Sequence, residues 1–549
     1  MFIHPFSNKR NEGKNMSGRF SKILALMPRV SQDSAFYTWL VVANVMVGTF
    51  MAILDSTIVN VGLTNIMNSF GTSIDKIEWI ITGYMLVMAV TLPASGWIAD
   101  HFGYKRSYFV SLFLFTLGSL LCGFAWNETV LIACRVVQGL GAGLIMPIGM
   151  AIITRTFPPE KRGMALGFWG ISAAASVSFG PVIGGYLIDN FSWHAIFLVN
   201  VPVGVIGLVS TIIIQKEYRI EKVRSFDYGG AIFMTIFLTS LLLALACGNS
   251  SWNTGGWHSN FIVTCLVFAA VSFAVFLYID LRIEDPLIDL RLLKDFNFSM
   301  ANIVFFIFGF GMFGSTFLLP LFLQTSLGYT ALQAGMVFLP IGMVQAVMSP
   351  ISGALSDRIN PKVPALIGIA LLGIGLYMQD FLSLDSSNFQ IMVPLMVRGL
   401  GMGMIIAPLG ALAMSRMPPR KLAQASGLFN VIRQVGGSFG VAVMGTILSN
   451  QVVVHSANYF QAVNSYSPVF QNMIFTLGTM IGQFSGKNSG VSQAISRMSI
   501  FQNAANQAFV SSICDDFLIA GVATFFCLIP LLLLRSRKKE NTCAEFDNC

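Results

Sequence analysis

At 549 residues, with 55% hydrophobic side chains and 11% charged ones, the chain departs from soluble globular proteins, about a quarter of whose residues are charged. The mean hydropathy of +0.71 makes lipid its main solvent and excludes a water-soluble domain. A formal charge of +8 raises the question of an acidic or nucleic-acid partner, which the placement of the charges decides.

The tail through Arg29 is polar and basic, with no short apolar stretch ending at a small-residue cleavage site. No removable signal peptide is therefore expected, and the first span serves as the insertion signal. A helix needs about 20 apolar residues to cross a bilayer. Such runs stand near 39–62, 79–100, 106–125, 129–154, 164–188 and 194–214, then near 228–247 and 261–281. Six more follow near 298–323, 332–353, 363–381, 390–414, 427–449 and 515–535. The expected protein is thus all-α and polytopic, with fourteen spans. It divides into a tail at 1–38, a six-helix bundle at 39–215, a two-span insertion with flanking loops at 216–297, a second six-helix bundle at 298–535 and a tail at 536–549. The stretch 450–514 is expected to be a large polar loop, with an interfacial or re-entrant apolar patch from Met473 to Met480.

Cytoplasmic loops collect Lys and Arg. With both termini inside, 27 of the 33 basic residues fall in the two tails and the inside loops. Only Lys76, Lys487 and Arg497 fall outside, while Arg135, Arg398 and Arg433 lie within spans. The basic excess is spread over eight segments and reads as topology, whereas a nucleic-acid footprint gathers on one face. No nucleic-acid partner is expected. The eight cysteines show no CxxC spacing, and the five histidines are scattered without HExxH, GxSxG or a phosphate loop nearby. Neither a metal site, a disulfide framework nor a catalytic constellation is indicated.

An internal repeat sharpens the architecture. QGLGAGLIMPIGMAIITRTFPPEKR, from Gln138 to Arg162, returns as RGLGMGMIIAPLGALAMSRMPPRKL, from Arg398 to Leu422, at an offset of 260. Ser178-Phe179-Gly180 meets Ser438-Phe439-Gly440 at the same offset, and GWIAD at Gly96–Asp100 meets GALSD at Gly353–Asp357 at 257. Two homologous six-span halves separated by a two-span insertion account for this pattern.

Several stretches carry chemistry. LDSTIVNVGL, from Leu54 to Leu63, holds Asp55, the sole acid deep inside the first half. An unpaired carboxylate there costs several kcal/mol, so Asp55 is a functional candidate or else a structural carboxylate permanently hydrogen-bonded within the bundle. Arg135, in LIACRVVQGLGAG, keeps its proton and so biases a neighbouring carboxylate rather than relaying protons, or else forms a structural ion pair. Gln138 lies nearly on the same helical face. GWIADHFGYKRS, from Gly96 to Ser107, fills a tight inside turn where Gly96 and Gly103 suit close approach. There Asp100 can accept bonds from a helix N-terminus and pair with a cation. SFGPVIGG, from Ser178 to Gly185, combines a kink at Pro181 with the small faces of Gly180, Gly184 and Gly185. Arg433 and Gln434, in FNVIRQVGGSFGVAVMG, are cavity or structural candidates, and Asn60, Gln324 and Gln345 are weaker ones.

These stretches resemble the signature motifs of the major facilitator superfamily, and in particular of its 14-span drug:proton antiporters, the EmrB/QacA-like family. His101 and Tyr104 stand at usually basic positions, and Ser176 replaces the first glycine of the fifth-span motif. The resemblance implies a proton-coupled exporter working by alternating access. Asp55 and Arg135 would couple the proton, Gly96, Asp100, Gly103, Lys105 and Arg106 would gate the inside, and Gly180, Pro181, Gly184 and Gly185 would shape the antiporter interface. Asn60, Gln138, Gln324, Gln345, Arg433 and Gln434 would be candidates for the substrate cavity. The resemblance further implies no cofactor beyond the proton gradient, lipophilic or amphiphilic substrates, a bacterial inner-membrane location, and a periplasmic adaptor with an outer-membrane channel contacted by 450–514. Exporters of a metabolite, siderophore or amino acid share these motifs, and a non-transporting membrane sensor is the alternative from another class.

Overall fold

The computed structural model describes residues 35–534, apart from 73–75, 77–78, 219–226, 249, 251, 254, 284–285, 287, 416, 419–420, 464–466 and 486–487. Among the described residues every regular element is helical. The first half holds α1 (Ala35–Phe70), α2 (Trp79–Phe102), α3 (Tyr104–Cys122), α4 (Glu128–Thr156), α5 (Arg162–Asn190) and α6 (Asn200–Ile214), the last preceded by a helical turn at Ala195–Leu198. The inserted hairpin is α7 (Tyr228–Cys247) and α8 (Asn260–Arg282). The second half holds α9 (Phe296–Leu321), α10 (Ala331–Arg358), α11 (Lys362–Met378), α12 (Asn388–Met414), α13 (Leu422–Ala462), α14 (Pro468–Ser485) and α15 (Ser489–Phe526), closed by a short helix α16 (Leu528–Leu533).

Thirteen described helical segments are long and apolar enough to cross a membrane. Helix α3 is not among them, because Lys105 and Arg106 in its first turn dilute an otherwise apolar segment. It nonetheless runs through the bundle against α4. A Cβ on Gly118 would lie 2.6 Å from the Gln138 amide nitrogen, and one on Gly141 would lie 2.5 Å from that of Phe115. The second half repeats this contact between α11 and α12. There a Cβ on Gly375 would lie 2.8 Å from the Arg398 amide nitrogen, and one on Gly401 would lie 2.5 Å from that of Leu372. The sequence repeat is therefore a repeat of backbone approach, which small residues permit where no hydrophobic force draws helices together.

The halves meet chiefly along α5 and α10. On the face carrying the basic loops, a Cβ on Gly353 would sit 2.2 Å from the Gly163 carbonyl oxygen. Further along, Gly167 approaches the Ser349 carbonyl and Gly342 approaches Ser178, and Gly185 lies beside Leu332 near the opposite face. Other contacts close the basic face, where Ser426 donates to the Pro147 carbonyl at 3.2 Å and Gly427 packs on Ser95. Helix α7 lies against both α2 and α13, where Leu241, Leu242 and Leu245 pack with Ala89 and Ala442. Trp257 fastens the hairpin to α13 by donating to Thr446 Oγ1 at 2.8 Å.

One expectation is corrected. Residues 450–514 are not a large loop: α13 continues unbroken to Ala462, α14 spans Pro468–Ser485, and α15 begins at Ser489. At 1.5 Å per residue α13 is about 60 Å long, roughly twice the hydrocarbon thickness, so it projects well beyond the lipid. Tyr459 and Ser511 bond at 3.2 Å and His455 and Asp515 at 2.8 Å, tying the projecting helices together. Phe470, Ile474 and Ile500 form a small core beneath α14. The patch expected at Met473–Met480 belongs to this helix, whose Met473, Phe475 and Met480 are exposed.

A single added methyl tests the inter-half seam. Gly353→Ala is expected to lower the thermal midpoint of the detergent-purified chain, with a cost of about 1–3 kcal/mol for overpacking. Gly490→Ala, which meets nothing within 4 Å, is expected to leave the midpoint unchanged or raise it, alanine being the better helix former.

Candidate functional site

The polar core of the first half is assembled by three helices. Asn127 caps α4 by accepting from the Val130 amide at 2.8 Å, which sets Arg135 two turns into the helix and Gln138 three residues further on the same face. Helix α1 brings Asp55, and α6 brings Asn200 at its first residue. All four side chains are essentially inaccessible: Asp55, Gln138 and Asn200 are 0% exposed and Arg135 1%.

Arg135 Nη1 donates to Asp55 Oδ2 at 2.5 Å and to Gln138 Oε1 at 2.8 Å. Gln138 Nε2 and Asn200 Nδ2 both donate to Asp55 Oδ1, at 2.8 and 3.0 Å. Asn200 also donates to Ser119 Oγ at 3.1 Å, and Ser119 in turn donates to the Phe197 carbonyl at 2.9 Å. Arg135 Nε donates to the Ile80 carbonyl at 3.2 Å. Its guanidinium carbon lies 3.9 Å from the centroid of the Tyr84 ring, in cation–π contact. Burying two charges costs several kcal/mol each, and the pair is tolerable only when further hydrogen bonds satisfy the remaining donors and lone pairs. This cluster supplies them, and it binds a titratable carboxylate to a cation that keeps its charge.

Of the residues singled out from sequence, the structure thus brings Asp55, Arg135 and Gln138 together and adds Asn200. Gln138 is a partner of Asp55 and is completely buried in this arrangement. Asn200 is the only amide in an apolar run from His194 to Ile214, and that isolation was the signal that could have found it. The remaining cavity candidates do not join the cluster. Gln324 is exposed at the end of α9, Gln345 is buried on α10, and Arg433 and Gln434 are half-buried on α13. The side chain of Asn60 lies outside the described residues.

The motif from Gly96 to Ser107 packs as follows. Gly103 has a φ of +95°, and a Cβ there would fall 2.1 Å from Glu217 Oε1, so both backbone and space demand glycine. Lys105 donates to the Ile212 carbonyl at 2.6 Å and Arg106 lies 3.6 Å from Glu217, which ties both to the end of α6 within their own half. Asp100 accepts from Tyr104 at 2.8 Å and stands 3.9 Å from Arg155. The carboxylate seen to cross between halves is Asp357, its counterpart in the repeat. It accepts from the amides of Gly163 and Met164 at 3.0 and 2.8 Å, capping the N-terminus of α5 where an anion is favoured.

The antiporter motif lies between α1 and α10. A Cβ on Gly180 would collide with Thr57 at 2.0 Å, Gly184 faces Ile58, Gly185 faces Leu332, and Pro181 lies against Gly335. Ser176, in place of a glycine, donates to the Phe50 carbonyl at 2.8 Å and so joins α5 to α1.

Two repeated helical halves around a buried, paired carboxylate define a multi-pass membrane carrier. The chain belongs to the major facilitator superfamily, whose sequence profile matches residues 45–441, within its EmrB/QacA-like branch. It is 31% identical over 490 residues to the multidrug export protein EmrB of Haemophilus influenzae, covering 88% of this chain and 93% of that protein. It is 31% identical to the uncharacterized MFS-type transporter YhcA of Bacillus subtilis, covering 90% and 94%. Among solved structures, the proton:xylose symporter XylE superposes with a TM-score of 0.57 at 11% identity over 92% of this chain and 97% of that one. The human organic anion transporter MFSD10 gives 0.56 at 12%, over 91% and 99%. At those identities the likeness is one of fold.

The buried pair makes a quantitative prediction. Arg135→Gln strands the Asp55 charge and is expected to cost about 3–5 kcal/mol. The double variant Asp55→Asn/Arg135→Gln should recover much of that loss, as read from thermal unfolding in detergent.

Proposed function

We propose that the chain is a proton-coupled exporter of lipophilic or amphiphilic toxic compounds that works by alternating access. The observation that carries this reading is the Asp55 carboxylate, sealed from water and held by Arg135, Gln138 and Asn200. Taking up a proton at either Asp55 oxygen removes the negative charge that holds Arg135. The guanidinium must then be stabilised by Gln138, the Ile80 carbonyl and the Tyr84 ring alone. Protonation therefore changes the relative energies of arrangements of α1, α4 and α6, and α1 transmits the change to α5 through the Gly180 and Ser176 contacts. Release of the proton on the other side restores the pair. The membrane potential supplies about 2.3 kcal/mol per charge per 100 mV, and the cycle needs no other cofactor.

The export direction follows the relatives named for multidrug export and resistance. The basic face is read as cytoplasmic, with both termini on that side, in the inner membrane of a bacterium. Asp357, capping α5 across the seam, latches the arrangement in which that face is closed. The projecting part of α13, α14 and α15 then lies outside, where Val469, Met473, Phe475 and Phe484 of α14 are exposed. We assign to it a contact with a periplasmic adaptor leading to an outer-membrane channel.

Asp55→Asn is expected to abolish gradient-driven transport in inverted vesicles at normal expression, since the amide keeps the shape but exchanges no proton. Accumulation of substrate against a gradient by this variant refutes the coupling role. Arg135→Lys should also be impaired, because the fork that serves Asp55 and Gln138 together is lost while the charge remains. For the adaptor, residues 456–510 are replaced by a short flexible linker. Lost whole-cell resistance with vesicle transport preserved is the expected result, and unchanged resistance removes the adaptor from the scheme.

A further inference from the structure

The second half contains a buried charge with no acidic partner among the described residues. Arg398, on α12, is 1% exposed. Its Nη2 reaches Thr316 Oγ1 at 2.5 Å and the Met312 carbonyl at 3.4 Å, both neutral acceptors on α9. Its Nε and Nη1 are buried without any acceptor. Arg433 of α13 approaches the same stretch of α9, with its guanidinium carbon 5.9 Å from the centroid of the Phe313 ring. Its hydrogen-bond acceptor is the amide oxygen of Asn430 at 3.4 Å, and among the described residues it has no acidic partner. Both guanidiniums thus lie against the Met312–Thr316 stretch, and among the described residues neither has a carboxylate partner.

The repeat shows what is missing. Arg398 occupies the place of Gln138, as the offset of 260 and the matching approaches of Gly118 and Gly375 to their backbones establish. Asp55-Ser56-Thr57 of α1 has its counterpart in Gly314-Ser315-Thr316 of α9, at an offset of 259. Where the first half places Asp55 and Arg135 the second half has Gly314 and Leu395, so Arg398 stands at the Gln138 place with no carboxylate at the Asp55 place. A buried cation without a partner costs several kcal/mol, and arginine cannot escape that cost by giving up its proton.

We propose that Arg398 and Arg433 form the subsite for an anionic group of the transported molecule, a carboxylate or sulfonate on an aromatic or aliphatic body, which supplies a counter-charge beside these two arginines. This deepens the exporter reading and rests on it. Phe313 offers the body a ring face. Arg398 lies about 15 Å from one end of α12 and about 24 Å from the other at 1.5 Å per residue, near mid-membrane. A lipid phosphate in its own leaflet lies at the membrane surface, so the anion is that of a cargo molecule.

The test is equilibrium dialysis of radiolabelled 2-naphthalenesulfonate against the purified full chain in a neutral detergent, with tetraphenylphosphonium as the cationic comparison. Saturable sulfonate binding is expected, weakened about tenfold or more in Arg398→Gln and in Arg433→Gln, while phosphonium binding is not weakened. Without ligand, Arg398→Gln should unfold at a higher temperature than the parent chain, because it removes an unpaired charge; a structural role predicts a lower one. The proposal is overturned if the parent chain does not bind the sulfonate, if the variants bind it normally, if both ligands weaken together, or if Arg398→Gln fails to fold. Displacement of the sulfonate by phosphatidylglycerol added to the micelles would assign the site to lipid and overturn it as well. No gradient is applied, so these outcomes are independent of the Asp55→Asn transport result.

Discussion

A carboxylate deep in hydrocarbon stays there only if its surroundings replace what water would have given it. Asp55 meets that demand with one cation and two amides drawn from α4 and α6, and much of the first half can be understood as the means of bringing those donors within reach. Gly118 lets α3 close on the backbone at Gln138, and Gly180 lets α5 close on Thr57 beside Asp55. Ser119 orients Asn200, and Tyr84 covers the guanidinium. The small residues and the polar residues are therefore parts of one device, in which close backbone approach fixes side-chain geometry to within hydrogen-bond distance.

The two halves share this scaffold and differ in what it holds. The α3–α4 and α11–α12 pairs use glycines at equivalent places to reach the same depth of contact. Inside the first half charge is matched within the protein, whereas inside the second the equivalent space is occupied by Arg398 and a turn of α9 bearing only hydroxyl, carbonyl and ring. In the scheme proposed above, the duplicated fold separates the coupling of an ion from the handling of cargo while both halves keep the same packing. On the basic face Asp357 caps a helix of the opposite half, and Lys105 and Arg106 bond within their own.

What could be read from the sequence depended on whether the signal was local. Hydropathy located the spans, the 260-residue offset gave the two halves, and the i, i+3 spacing of Arg135 and Gln138 put both on one face toward a carboxylate. Asn200 escaped because its role arises only when α6 comes beside α1. Asp357 was visible as a repeat of Asp100, but its reach across the seam depends on where α5 begins. Residues 450–514 were misread for a different reason. Their helices are held by packing on one another outside the lipid, through Phe470, Ile474 and Ile500 and the bonds of Tyr459 and His455. A criterion tuned to hydrocarbon does not detect such helices.

The inserted hairpin has a consequence for the route a hydrophobic molecule can take. Helix α7 fills the groove between α2 and α13 with Leu241, Leu242 and Leu245, and α8 turns Val263, Val267 and Val271 outward behind it. A solute dissolved in the bilayer consequently meets a second wall of leucine and valine along this seam, and lateral entry there is barred at the depth of these contacts. The bond from Trp257 to Thr446 holds the wall to α13 while its leucines rest on Ala89 of α2, so the hairpin bridges the seam between the two halves and closes it to the lipid.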